Sequence, residues 1–143
     1  MRAPIAALMF ACAAFPAEAQ TQTAASIAGH WTFQTEAATD RRCVIRGAAV
    51  IAPAAGRGAF SLQMSTHETC RDGHEWRSEQ RCTATQSGQS VRIDCDIISA
   101  TPANYAPDDF ALQMRGPDAM HGTLLSSWNA RAHWRRAAPA LVS

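Results

Sequence analysis

Beyond residue 26 the chain alternates. Apolar and polar side chains trade places in short runs, bounded by Gly, Pro, Asn, Asp and Ser. A period of two is the mark of strands with one buried face. In Ala59–Thr66, Phe60, Leu62 and Met64 share one face, and Ser61, Gln63 and Ser65 the other. In Ser90–Ile98, Val91, Ile93, Cys95 and Ile97 oppose Arg92, Asp94 and Asp96. The same reading predicts eight strands: Ile27–Glu36, Cys43–Ala52, Ala59–Thr66, Glu75–Thr85, Ser90–Ile98, Asp109–Arg115, Met120–Ser127 and Asn129–Arg136. Helical periodicity is scarce.

Eight short strands with short links predict an all-β, up-and-down antiparallel barrel, which leaves no open sheet edge. A two-sheet sandwich is the alternative with the same alternation. A barrel of this size is filled by its own side chains or holds one small ligand. Phe60, Leu62, Ile93 and Leu112 are the candidate lining of such a ligand site.

The first 19 residues follow a different rule. Met1-Arg2 is a charged start, Ile5–Phe15 is apolar, and Pro16 followed by Ala17-Glu18-Ala19 fits a small-x-small cleavage site. The apolar run is too short for a membrane span, which needs ~20 residues. The expectation is therefore a cleaved signal peptide over 1–19, a flexible lead-in over 20–26, a barrel domain over 27–136 and a disordered tail over 137–143. Lipoprotein processing at Cys12 fits poorly, because Met9-Phe10-Ala11 departs from the residues it requires.

Export changes the meaning of the cysteines. Cys12 leaves with the signal, and Cys43, Cys70, Cys82 and Cys95 remain, an even number read as two disulfides. If Gly88-Gln89 is a two-residue hairpin loop, Cys82 faces Cys95. A second hairpin centred near residue 55 or 56 brings Cys43 within reach of Cys70. Cys43–Cys70 with Cys82–Cys95 is the leading pairing, and nested Cys43–Cys95 with Cys70–Cys82 the runner-up. Zinc on Cys70 with His67 and His74 is a weaker alternative, since no CxxC pair is present.

Composition adds little further. Losing Arg2 and Glu18 removes one charge of each sign, so the formal net charge stays at +1. No basic face suggests nucleic acid, and no second apolar segment suggests a membrane. The chain has no lysine and much alanine, as in GC-rich genomes. Together with the leader this predicts a Gram-negative bacterium and a periplasmic or secreted monomer.

Gly29-His30-Trp31 on the first strand and His133-Trp134-Arg135-Arg136 on the last resemble the pattern of lipocalins and the wider calycins. In that pattern the Trp closes one barrel end and an Arg packs across its ring. The resemblance implies these roles for Trp31 and for Arg135 or Arg136, with Gly29 permitting close approach. Size and export also resemble the Inh-type bacterial protease inhibitors, which implies a protein partner and an inhibitory N-terminal segment. The run Tyr105–Phe110 with Met120-His121-Gly122 resembles a stretch of small exported bacterial proteins, and implies no activity.

Signs of catalysis are sparse. Asp108 and Asp109 are adjacent, so on a strand they point to opposite faces and cannot share a proton; Asp108 reads as a loop cap after Pro107. His121 and His133 lie on neighbouring strands but have no nucleophile beside them in sequence, and carry only a third-ranked enzymatic reading. His67-Glu68 and Asp72–Glu75 form a polar cluster that reads as a solvated loop anchored by Cys70. Trp128 reads as an exposed turn residue. The sequence assigns no cofactor and no metal. Its leading functional reading is a non-enzymatic barrel that binds a small apolar molecule or a protein partner.

Overall fold

The computed structural model describes residues 23–37 and 42–138. The leader over 1–19, the start of the 20–26 segment and residues 139–143 lie outside the described residues. Eight strands run in chain order: β1 Gly29–Thr35, β2 Cys43–Pro53, β3 Ala59–Cys70, β4 Glu75–Ser87, β5 Ser90–Thr101, β6 Asp109–Met114, β7 Ala119–Leu125 and β8 Asn129–Arg136. Each pairs antiparallel with the next, and β8 pairs with β1, closing an up-and-down barrel. The sandwich alternative is excluded.

Alternation decides which side chains go inside. The inward row of β3 begins Phe60, Leu62, Met64, all buried, while Ser61, Gln63 and Ser65 face water. Outward positions carry charges such as Arg46, Glu79, Arg81 and Asp94. That is the reverse of an outer-membrane barrel, whose outer band is apolar.

Register is fixed by the hairpins. Ser87 faces Ser90, and the ladder carries Cys82 opposite Cys95. Pro53 faces Phe60, which carries Cys43 opposite Cys70. Both disulfides join directly paired residues, with Cα atoms 3.9 Å apart for Cys43–Cys70 and 4.0 Å for Cys82–Cys95. The nested pairing is excluded. A bulge separates the Gln80–Ile97 and Glu79–Ser99 pairs, so Ile98 has no partner on β4 and stands 54% exposed.

Three rings fill the middle of the barrel. Phe33 stacks on Trp134 at 4.5 Å, and Phe110 meets both edge-on at 5.2 and 5.1 Å. These are the offset and T-shaped geometries aromatic quadrupoles favour. Phe60, Leu62, Ile93 and Leu112 do point inward, but they are 0–8% exposed within the same core cluster. They pack this interior, and the recesses described below lie outside it.

Candidate functional site

The two barrel ends differ. At one end the chain before β1 folds across the opening. Ile27 is fully buried there. Its N–H donates to Gln86 Oε1 at 3.2 Å, and Gln86 Nε2 donates to the Ala25 carbonyl at 2.7 Å. The Trp31 indole N–H donates to the Ile27 carbonyl at 2.8 Å. Arg136 lies over the Trp31 ring and donates to the carbonyls of Ser26, Ala28 and Pro117. Arg135 is instead exposed on the outer face. The segment read as a flexible lead-in is thus held at Ala25 and Ser26.

Among the described residues the opposite end is open and polar. Beyond Met64 the inward row of β3 continues as Thr66, Glu68 and Cys70, and that of β4 as Gln80, Ser78 and Trp76. Thr66, Glu68, Ser78 and Gln80 are all buried. The expected solvated loop over Thr66–His74 is therefore strand as far as Cys70. Its polar side chains face inward because the alternation continues after the apolar residues end.

Thr66, Ser78 and Gln80 join Asp108 and Tyr105 in one hydrogen-bonded chain. The Thr66 and Ser78 hydroxyls are 2.6 Å apart, and Gln80 Nε2 reaches Ser78 Oγ at 2.8 Å and Asp108 Oδ2 at 2.7 Å. The Asp108 N–H returns to Gln80 Oε1 at 3.0 Å, and Tyr105 OH donates to Asp108 Oδ2 at 2.9 Å. Asp108 is fully buried, not a solvated cap, and its Oδ1 has no partner among the described residues. Burial pushes its pKa up to about 6, against the lowering effect of the bonds from Gln80 and Tyr105; the Glu68 charge adds to the rise. Burial, then the charges of Asp108 and Glu68, push Tyr105 far above its usual range. Asp109 points the other way and accepts from the Cys95 N–H at 2.7 Å.

Above this floor opens a recess of about 680 Å³, lined by Arg42, Cys43, Glu68, Cys70, Arg71, Asp72, His74 and Trp76. Its volume is in the range of small-molecule pockets. The Cys43–Cys70 disulfide and the Trp76 ring give apolar wall. His74 stacks on Trp76 at 5.7 Å; its backbone N–H donates to Asp72 Oδ1 at 3.0 Å, and this bond, with the 2.9 Å contact to the His74 ring, holds the Asp72 carboxyl below its usual range. Glu68 belongs to both recess and floor. Its Oε1 lies 3.7 Å from Cys70 Sγ, a packing contact, because a disulfide sulfur has no proton to give. For the same reason Cys43, Glu68 and Cys70, though their ligand atoms lie close together, offer no thiolate to a metal.

The histidine pair lies elsewhere. His121 and His133 are directly opposed on the outer face of β7 and β8, with rings 4.9 Å apart. His133 Nε2 is 3.0 Å from Glu36 Oε1. Glu36 and His133 also border an outer groove of about 770 Å³ across β1, β2 and β8. Trp128, expected in the open, packs partly buried against the core.

Reading the sequence alone missed Gln80, Tyr105 and the burial of Asp108. Parity was the available signal for Gln80, which shares its face with Cys82 and Ala84. No periodicity marks Tyr105, which lies in the loop between β5 and β6.

No protein-family model and no curated protein matches this chain. Among solved structures it resembles a de novo designed fluorescence-activating β-barrel, with a TM-score of 0.56 and 20% identity. The match covers 78% of this chain and 94% of the designed one. At that identity the likeness is one of fold, and the fold is the closed eight-stranded antiparallel barrel found here.

Proposed function

We propose that the protein is a non-enzymatic binding protein that works outside the cytoplasm and takes one small molecule into the recess at the Cys43–Cys70 end. The observation that carries this is the recess itself: a pocket-sized opening at the barrel end that the described residues leave open, with Trp76 in its wall and the buried Glu68 in its lining. The outer groove is similar in size, but it crosses the outside of the barrel wall over β1, β2 and β8 and lies at neither end.

The lining describes the ligand. Trp76 and the disulfide favour an apolar, flat body. Arg42, Arg71 and Glu68 favour polar ends. The ligand is therefore amphipathic, where the sequence alone suggested an apolar one. The fluorescence-activating barrel offers a precedent only at the level of fold. Two disulfides are consistent with an oxidising compartment.

Native mass spectrometry of the protein purified from the periplasm tests the reading. A small-molecule adduct is expected, lost in Trp76→Ala and weakened in Glu68→Gln. No adduct, or one indifferent to both changes, overturns it. A co-purifying protein would favour the protease-inhibitor alternative instead.

A further inference from the structure

The outer face of the barrel carries a constellation that the recess does not use. His121 on β7 and His133 on β8 are direct cross-strand partners. Both alternate with buried neighbours: Met120 before His121, Ala132 and Trp134 around His133. The two imidazoles therefore project from the same side of a rigid, fully paired sheet. Their ring centroids are 4.9 Å apart.

That spacing is close to the demand of a shared metal ion. An ion about 2.0–2.1 Å from one nitrogen of each ring, at N–metal–N angles of about 90–109°, puts the ring centroids about 4.5–5.2 Å apart. The strands already hold the rings at this distance. Only side-chain rotation is needed to turn one nitrogen of each towards a common point.

Glu36 prepares one of the two ligands. Its carboxylate accepts from His133 Nε2 at 3.0 Å, so the neutral ring carries its proton there and leaves Nδ1 with a free lone pair. Carboxylate–histidine–metal arrangements work in this way. Arg115 and Arg135 lie near enough to act on His121. Their charge opposes an incoming cation, and Glu36 supplies a countercharge.

We propose that His121 and His133 form a surface site for a divalent transition ion that favours imidazole, with Glu36 as the residue that positions His133. Two protein nitrogens and remaining water ligands suit Cu²⁺ and Zn²⁺, with Cu²⁺ the tighter by the general order of divalent affinities. The site is separate from the recess and stands or falls independently of it.

Calorimetric titration of the untagged mature chain with CuCl₂ and with ZnCl₂, in a non-chelating buffer, tests this. One ion per chain is expected, with copper binding more tightly than zinc. His121→Ala and His133→Ala each weaken binding at least tenfold, while His67→Ala and His74→Ala leave it unchanged. Glu36→Gln weakens it about tenfold, the lower end for losing a carboxylate that orients a metal-binding histidine, and Glu36→Asp restores most of that loss. Zinc should also shift the imidazole resonances of His121 and His133 ahead of those of the other histidines. Absence of saturable binding, or binding that survives loss of either histidine, overturns the site. Full binding in Glu36→Gln removes Glu36 from it.

Discussion

Arg136 stands over Trp31, its guanidinium carbon 4.4 Å from the indole centroid, while its nitrogens hold the carbonyls of Ser26, Ala28 and Pro117. One side chain thus joins the first strand, the last strand, the segment before β1 and the β6–β7 turn. A cation–π contact is worth ~0.5–2 kcal/mol, and hydrogen bonds to charged groups ~1.5–3 kcal/mol each when well shielded. The site is partly open, so the total falls below their sum.

Arg136→Ala is expected to cost about 2–4 kcal/mol in urea denaturation. Arg136→Lys keeps the charge but loses the planar fork, and recovers less than half of that. Arg135→Ala stays within about 0.5 kcal/mol, as for an exposed residue without special contacts. Equal losses at 135 and 136 would show that the barrel end is not held through Arg136.

Gly29 explains the other half of the Gly-x-Trp motif. Its φ is +131°, and a Cβ there would lie 2.6 Å from Arg136 Nη1. Gly29→Ala therefore strains the backbone and displaces the arginine at once. A loss of at least about 2 kcal/mol is expected, from strain of ~1–3 kcal/mol plus the weakened contact. In the Arg136→Ala background the same change should cost less, because the clash is gone. A double-mutant cycle measures that coupling.

The barrel was legible because its inner face is mostly apolar, and alternation shows wherever apolar and polar residues trade places. It faded where the inner face itself turns polar. Thr66, Glu68 and Cys70 continue the inward row of β3, yet among His67 and Thr69 they read as loop. Asp108 was misread for a related reason. A carboxylate after a proline is commonly a cap in water, and nothing local says that Gln80, 28 residues earlier, receives it inside a barrel. The plug at Trp31 was legible as a motif, but the choice between Arg135 and Arg136 needed the register of β8 against β1.

Buried Asp108 gives the barrel a pH dependence of definite sign. Its pKa rises from 3.8 to about 6 on folding. Between these values the folded state holds more protons than the unfolded one, so stability falls as pH rises. Its contribution is most favourable below about pH 4, declines through pH 4–6 and is flat above. Two units correspond to about 3 kcal/mol at most. Asp108→Asn keeps the shape and an acceptor for Gln80 and Tyr105 while removing the charge. The difference in unfolding free energy between variant and wild type should rise towards the variant from pH 4 to pH 7. A difference constant across that range would mean that Asp108 ionises as easily inside the barrel as outside.

The two disulfides should separate stability from binding. Chain entropy gives ~3 kcal/mol for a loop the length of Cys82–Cys95 and ~3.6 kcal/mol for one the length of Cys43–Cys70. Both double alanine variants should therefore lose similar stability. Their positions differ. Cys82 and Cys95 lie buried between β4 and β5 and line no part of the recess, whereas Cys43 and Cys70 form its wall beside Glu68 and Trp76. With both variants kept below their melting temperatures, the small-molecule adduct should persist without Cys82–Cys95 and weaken at least tenfold without Cys43–Cys70. Circular dichroism shows that each is folded, and native mass spectrometry reads the adduct. Equal retention in both would place the ligand away from the Cys43–Cys70 wall, and would turn attention to the outer groove beside Glu36 and His133.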